Sequence, residues 1–160
     1  MKTSASLPGF ILELARIASE VEASRRAGLE KAALIIETDA KDSLGTAVNG
    51  WPELAESTQV QRAKDGYTPN DPLLRSKTLY GAITHEVQSQ SRALVGVPSD
   101  TGEVEPEGAL VADVAADMEW GTYRAPPRPF MGPAAARKGK EAAEAVGGVL
   151  TMRLKGGLHG

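Results

Sequence analysis

Two pairs of carboxylates stand at helical spacing, Asp113 with Asp117 and Glu141 with Glu144. Acids one helical turn apart can serve acid–base work or offer oxygens to a hard cation. Neither pair has a convergent third ligand, so both read as solvated helix faces. Only two histidines are present, His85 and His159, too few for a multi-histidine metal centre. His85 shares a strand face with Ile83 and Val87, the place of a core-edge imidazole rather than a base. Cysteine is absent, which excludes thiol catalysis, disulfides, thiolate zinc sites and iron–sulfur clusters. No serine stands in a Gly-x-Ser-x-Gly turn. Gly147-Gly148 and Gly156-Gly157 lack the spacing of a phosphate-cradling loop. Arg137, Lys138 and Lys140 are basic enough to touch phosphate, but capping, pairing and solubility are their simpler uses. The chain is therefore expected not to be an enzyme, with no catalytic, cofactor-binding or metal-binding residues.

These residues belong to a chain of 160, the length of one domain spanning 1–160. Its 41% hydrophobic and 24% charged composition is that of a globular protein rather than a disordered one. The aromatic share of 4% argues against stacking platforms for single-stranded nucleic acid. No apolar run reaches the ~20 residues that span a membrane, and Met1 to Gly9 lacks the apolar core of a signal peptide. A soluble, cytoplasmically made protein with no membrane contact is expected. The net charge of −3 hides a segregation. Residues 99–120 hold seven acids and no base; residues 121–160 hold seven bases and two acids. The two blocks either pair internally or form two solvated faces. A sharper alternative joins one subunit's acidic edge to the next subunit's basic edge, a contact that closes into a ring.

The positioning elements follow from periodicity. Phe10, Leu14, Ile17 and Val21, continued by Leu29, Ala32, Ala33, Ile36 and Ala40, predict a long amphipathic helix over 10–44. Ser6 and Pro8 suit its start and Gly45 its end, and Gly28 is a candidate bend. Residues 45–72 read as irregular, with a short helical piece over 57–64. One or two helical turns follow over 73–80. Alternation predicts strands over 82–88 and 92–97, joined as a hairpin by Ser89-Gln90-Ser91. Residues 99–108 read as a mobile acidic loop. Leu110, Val114 and Met118 predict a short helix over about 109–120. Pro126, Pro127 and Pro129 enforce an extended arm through Phe130 and Met131, a candidate edge strand. Pro133 then opens a C-terminal helix over about 133–155, with Arg153 and Lys155 suiting its C-terminal dipole. The expected fold is α+β: a long N-terminal helix, a small antiparallel sheet on the 82–97 hairpin, a short helix and a C-terminal helix.

One stretch carries a resemblance. Glu119-Trp120-Gly121-Thr122 is followed by Arg128-Pro129-Phe130-Met131-Gly132-Pro133-Ala134. This resembles the Glu-aromatic-Gly-Thr … Arg-Pro-Phe-hydrophobic-x-Pro-Ala signature of the tail-completion, or head–tail joining, family of long-tailed bacteriophages, and of its virion-morphogenesis relatives. Trp51 to Thr58 resembles that family's Trp-x-x-Leu-x-x-x-Thr element. Leu73 to Ile83 resembles its Leu-x-x-Thr-Gly-x-Leu-x-x-Ser-Ile lead into the first strand. In that lead Ser76 and Lys77 replace Thr-Gly and Ala82 replaces Ser. Val114-Ala115 stands in place of the Tyr-Ala that precedes the Glu-aromatic element in the family.

The resemblance implies a structural virion protein of the phage neck. It would form a ring, six-fold in expectation, between the head-completion or adaptor proteins and the tail terminator or tail tube. The ring would leave a channel for double-stranded DNA without sequence-specific binding. Glu119, Trp120, Gly121, Thr122, Arg128, Pro129, Phe130 and Pro133 would form its subunit or neck interface. A tail terminator that caps the tube is the alternative within that class. A small intracellular nucleic-acid-binding or regulatory module is the alternative outside it.

Overall fold

The computed structural model describes residues 7–157. The expected cap Ser6 and His159 lie outside the described residues, as do the side chains of Phe10, Arg153 and Lys155. The elements in chain order are α1 Leu7–Ser43, α2 Glu56–Lys64, α3 Thr78–Ala82, β1 Thr84–Ser89, β2 Arg92–Gly96, α4 Val111–Trp120 and α5 Met131–Gly157. The α+β expectation holds, with the long first helix, the hairpin and the two later helices in their anticipated order.

Helix α1 has 37 residues, about 55 Å at 1.5 Å per residue. Helix α5 has 27 residues and runs unbroken through Gly147-Gly148. The two pack antiparallel. Arg137 reaches Asp39, while a Cβ on Gly28 would stand 3.0 Å from the Val146 backbone. Small residues line this seam: Ser24, Ala33, Ala40, Ala134 and Ala142 are all buried. Small side chains let helix axes approach closely, and Gly28 marks a point of close approach. The glycine expected to bend α1 is thus a site of close approach, and the helix continues through it. The same register exhausts α5 at about Ile17 of α1. Among the described residues no helix covers the turns before it, and Ile11, Leu12, Leu14 and Ile17 stand exposed.

The sheet has two antiparallel strands, with Thr84 opposite Gly96 and Ser89 opposite Arg92. A bulge between Val87 and Ser89 interrupts the ladder at the turn. The face carrying Ile83, His85 and Val87 turns inward against α1, as its alternation predicts. Ile83 is fully buried in a core formed with Ala40, Leu44, Leu79, Ala82, Val111, Ala115, Phe130 and Ala134.

Two local expectations are corrected, and one of two alternatives is excluded. No strand forms over 126–131: the arm stays irregular and Met131 already begins α5. The turn expected at 73–80 starts only at Thr78, because Lys77 adopts a left-handed φ of 66° that a helix cannot include. The acidic and basic blocks do not pair with each other through ion pairs among the described residues. Arg137 pairs with Asp39, Lys138 with Glu141 and Lys140 with Glu144. On the acidic side, Glu107 pairs with Arg75 and Glu105 accepts a hydrogen bond from Ser76. In the 99–108 loop, Val104 and Leu110 form an isolated bridge.

Candidate functional site

Where α4 ends, the chain must turn and start α5. The first turn of any helix presents backbone N–H groups with no internal acceptor. Here the Glu119 side chain meets them from the last turn of α4. One carboxylate oxygen accepts the amides of Phe130 at 2.8 Å and Met131 at 3.0 Å. The other accepts the Gly132 amide at 2.9 Å. The fourth position is Pro133, which has no N–H to satisfy. The first regular helical bond follows, from the Ala134 amide to the Phe130 carbonyl. One side chain therefore satisfies the whole start of α5, and its negative charge lies at the positive end of that helix dipole.

The neighbouring residues make this geometry possible. Gly121 ends α4 with φ +77°, and its amide bonds to the Asp117 carbonyl. A Cβ there would lie 2.9 Å from both the nitrogen and Cδ of Pro127. Only glycine fits both the conformation and the space. The Thr122 hydroxyl accepts the amides of Arg124 and Ala125, closing a tight turn. The Arg128 amide returns to the Met118 carbonyl at 2.7 Å, fastening the arm against α4. Trp51 donates its indole N–H to the Pro129 carbonyl at 3.2 Å, bringing the earlier Trp element onto the same arm.

The structure thus joins all eight residues expected at an interface, and it divides them by direction. Phe130 is 1% exposed and fills the core of its own chain. Glu119, Gly121, Arg128, Pro129 and Pro133 are partly buried. Thr122 is exposed, and Trp120 is 80% exposed. Sequence reasoning passed over Tyr123, which is 88% exposed and stacks under the Arg124 guanidinium. Its signal was an aromatic with no apolar partner at helix or strand spacing. Two large exposed aromatics beside a rigid turn are the composition of an interface anchor.

The acidic pairs meet the solvated expectation. Asp113 and Asp117 are exposed on α4, and no cluster of metal-ligating residues occurs among the described residues. His85 is a staple between layers. Its Nδ1 meets Glu37 of α1, and its Nε2 lies 3.1 Å from Glu30 one heptad earlier. Lys41 completes the group through Glu37 at 2.6 Å. The hydrogen bond to Glu37 is the chief reason the His85 pKa is raised above its ordinary value. Burial pushes Glu37 upward, but the bonds to His85 and Lys41 outweigh it and hold its carboxyl lower than usual.

No family model, curated protein or solved structure matches this chain.

Proposed function

We propose that this protein is a structural subunit of a bacteriophage neck. It assembles as a ring between the DNA-filled head and the tail, and DNA passes through the ring without sequence-specific contact. Its place is the virion, after synthesis in the host cytoplasm, and its work is mechanical rather than enzymatic.

Support comes from one backbone observation that the motif resemblance did not require. The family lead into the first strand has glycine where this chain has Lys77. The Lys77 backbone is left-handed, φ 66°, a conformation that glycine adopts freely and lysine only at a cost. The Ser76 hydroxyl accepts the Thr78 amide at 3.2 Å and steadies that turn. The local geometry thus suits the family residue at the very position where the sequence departs from it. Two further features fit a ring subunit. Trp120 and Tyr123 project from the rigid corner built on Glu119, and the apolar end of α1 is uncovered by the described residues of its own chain. The exposed Asp113 and Asp117, where they face the channel, would repel DNA phosphates and favour sliding.

The test is particle morphology. A phage encoding the doubly substituted Trp120→Ala, Tyr123→Ala chain should yield filled heads and separate tails. Tails of abnormal length would favour a terminator instead. Normal infectious particles would contradict an interface at these aromatics.

A further inference from the structure

Beside the corner lies an open cleft of about 500 Å³, walled by α2, the 73–79 segment, the 105–109 loop, α4 and the 124–128 arm. Its floor is apolar: Leu54, Leu73, Leu79, Val114 and Met118. Four guanidinium groups also line it, those of Arg62, Arg75, Arg124 and Arg128, against the two carboxylates of Glu105 and Glu107. Those carboxylates are already engaged, Glu107 with Arg75 and Glu105 with the Ser76 hydroxyl.

The guanidiniums are not fully satisfied. Arg128 Nη1 and Arg75 Nε are buried and have no hydrogen-bond acceptor among the described residues. A buried donor without an acceptor costs free energy. Arg62 and Arg128 form no ion pair among the described residues. Their other donors meet only backbone carbonyls, of Asp71 at 2.7 Å and of Glu53 at 3.4 Å. Burial, then the nearby charge of Arg75, lower the Arg62 pKa, with Arg128 adding to the effect and Asp71 opposing it. Arg75 is paired with Glu107 and Asp65, whereas Arg62 and Arg128 sit near it with no ion pair of their own among the described residues.

We propose that this cleft seats an extended segment of a partner protein, in which a carboxylate side chain is flanked by apolar ones. The carboxylate meets the guanidinium groups of Arg128 and Arg124, which line the cleft, and the flanking side chains cover its apolar lining. A planar guanidinium suits a carboxylate in a two-point contact. A lining that is both apolar and positively charged matches such a peptide better than a bare anion, which would leave the apolar part wet. The proposal goes beyond the neck assignment and holds whichever assembly the protein joins.

The experiment is an NMR titration of the full chain with the capped tripeptide acetyl-Leu-Glu-Leu-amide. The arginine Nε–H signals and the methyls of Leu73, Leu79 and Met118 report binding. Saturable shifts are expected, with affinity at least about fivefold weaker for the glutamine counterpart, because the charge is lost. Arg128→Gln should weaken the glutamate peptide about tenfold. Should that variant fail to fold, the exposed Arg124→Gln must weaken binding severalfold. Absent shifts, equal binding of the glutamine peptide, or unchanged affinity in the variants would overturn the proposal. So would inorganic phosphate binding more tightly than the peptide, which would mark a small-anion site. Self-association of the free protein abolished by Arg128→Gln would place a second copy in the cleft instead.

Discussion

The Glu119 carboxylate accepts, at 2.8 Å, the amide of Phe130, a residue eleven positions on in the chain. This bond ties the end of α4 to the start of α5 just where Phe130 enters the core. Removing it should be felt in global stability. Glu119→Ala strands three amides of the first turn and should cost about 2 kcal/mol or more. Glu119→Gln keeps the shape but loses the charge, and should cost about 1 kcal/mol. Urea unfolding of both variants checks the order; equal stability of all three proteins would mean that the cap contributes nothing.

Three glycines offer a graded prediction, because they differ in backbone conformation and in what lies beside them. Gly121→Ala meets Pro127 at 2.9 Å and a left-handed backbone, and should lose about 2 kcal/mol or more. Gly28→Ala gains helix propensity but drives a methyl to 3.0 Å from the Val146 backbone. We expect the clash to win, with net destabilisation. Gly139→Ala lies in α5 with nothing within 4 Å, and should stabilise by about 0.5–1 kcal/mol. Thermal unfolding of the three variants separates close approach from propensity.

Lys77 holds a strained backbone that glycine would relax. Lys77→Gly should leave stability unchanged or raise it by up to about 1 kcal/mol, despite the extra freedom of the unfolded chain. Replacement by valine, which tolerates φ 66° poorly, should destabilise. A loss of stability with glycine as large as with valine would show that the left-handed turn is not what this position requires.

The His85–Glu37 staple predicts a pH profile. The pKa of His85 is raised above its ordinary 6.5. Its contribution is therefore complete below 6.5 and is lost as the pH climbs through the raised value. The pKa of Glu37 lies below its ordinary 4.5. Its contribution is present above 4.5 and is lost as the pH falls through the lowered value. Stability from the pair should thus plateau between those limits. Urea midpoints should be higher at about pH 5.5 than at about pH 8.5, and His85→Gln should flatten that difference.

How far these features were legible in the sequence depends on the range of the forces that set them. The stripe from Leu14 to Ala40 gave α1, since apolar periodicity is local. The alternation of Ile83, His85 and Val87 gave β1 and its buried face. The start of α5 was misplaced by two residues. Pro133 looked like the opener, but the carboxylate that caps the first turn comes from Glu119, eleven residues before Phe130. The partner of Gly28 lies on another helix, so sequence could see a possible bend but not a close approach. The four arginines of the cleft are scattered from Arg62 to Arg128, and only the fold brings them together. The motif residues were found together, yet their division into buried Phe130 and exposed Trp120 needed three dimensions.

The uncovered end of α1 separates assembly from folding. Leu12→Ser with Leu14→Ser alters side chains that are 72% and 50% exposed, so unfolding should move by no more than about 0.5 kcal/mol. If another chain covers this end, self-association measured by sedimentation should weaken. Unchanged association would place the contact elsewhere.

The neck assignment is tested most directly by locating the chain in the particle. Gold-labelled antibody against an epitope appended to the protein, viewed by electron microscopy on intact virions, should mark the junction of head and tail. Label confined to the capsid shell or the distal tail, or no label on particles whose assembly requires the gene, would contradict it.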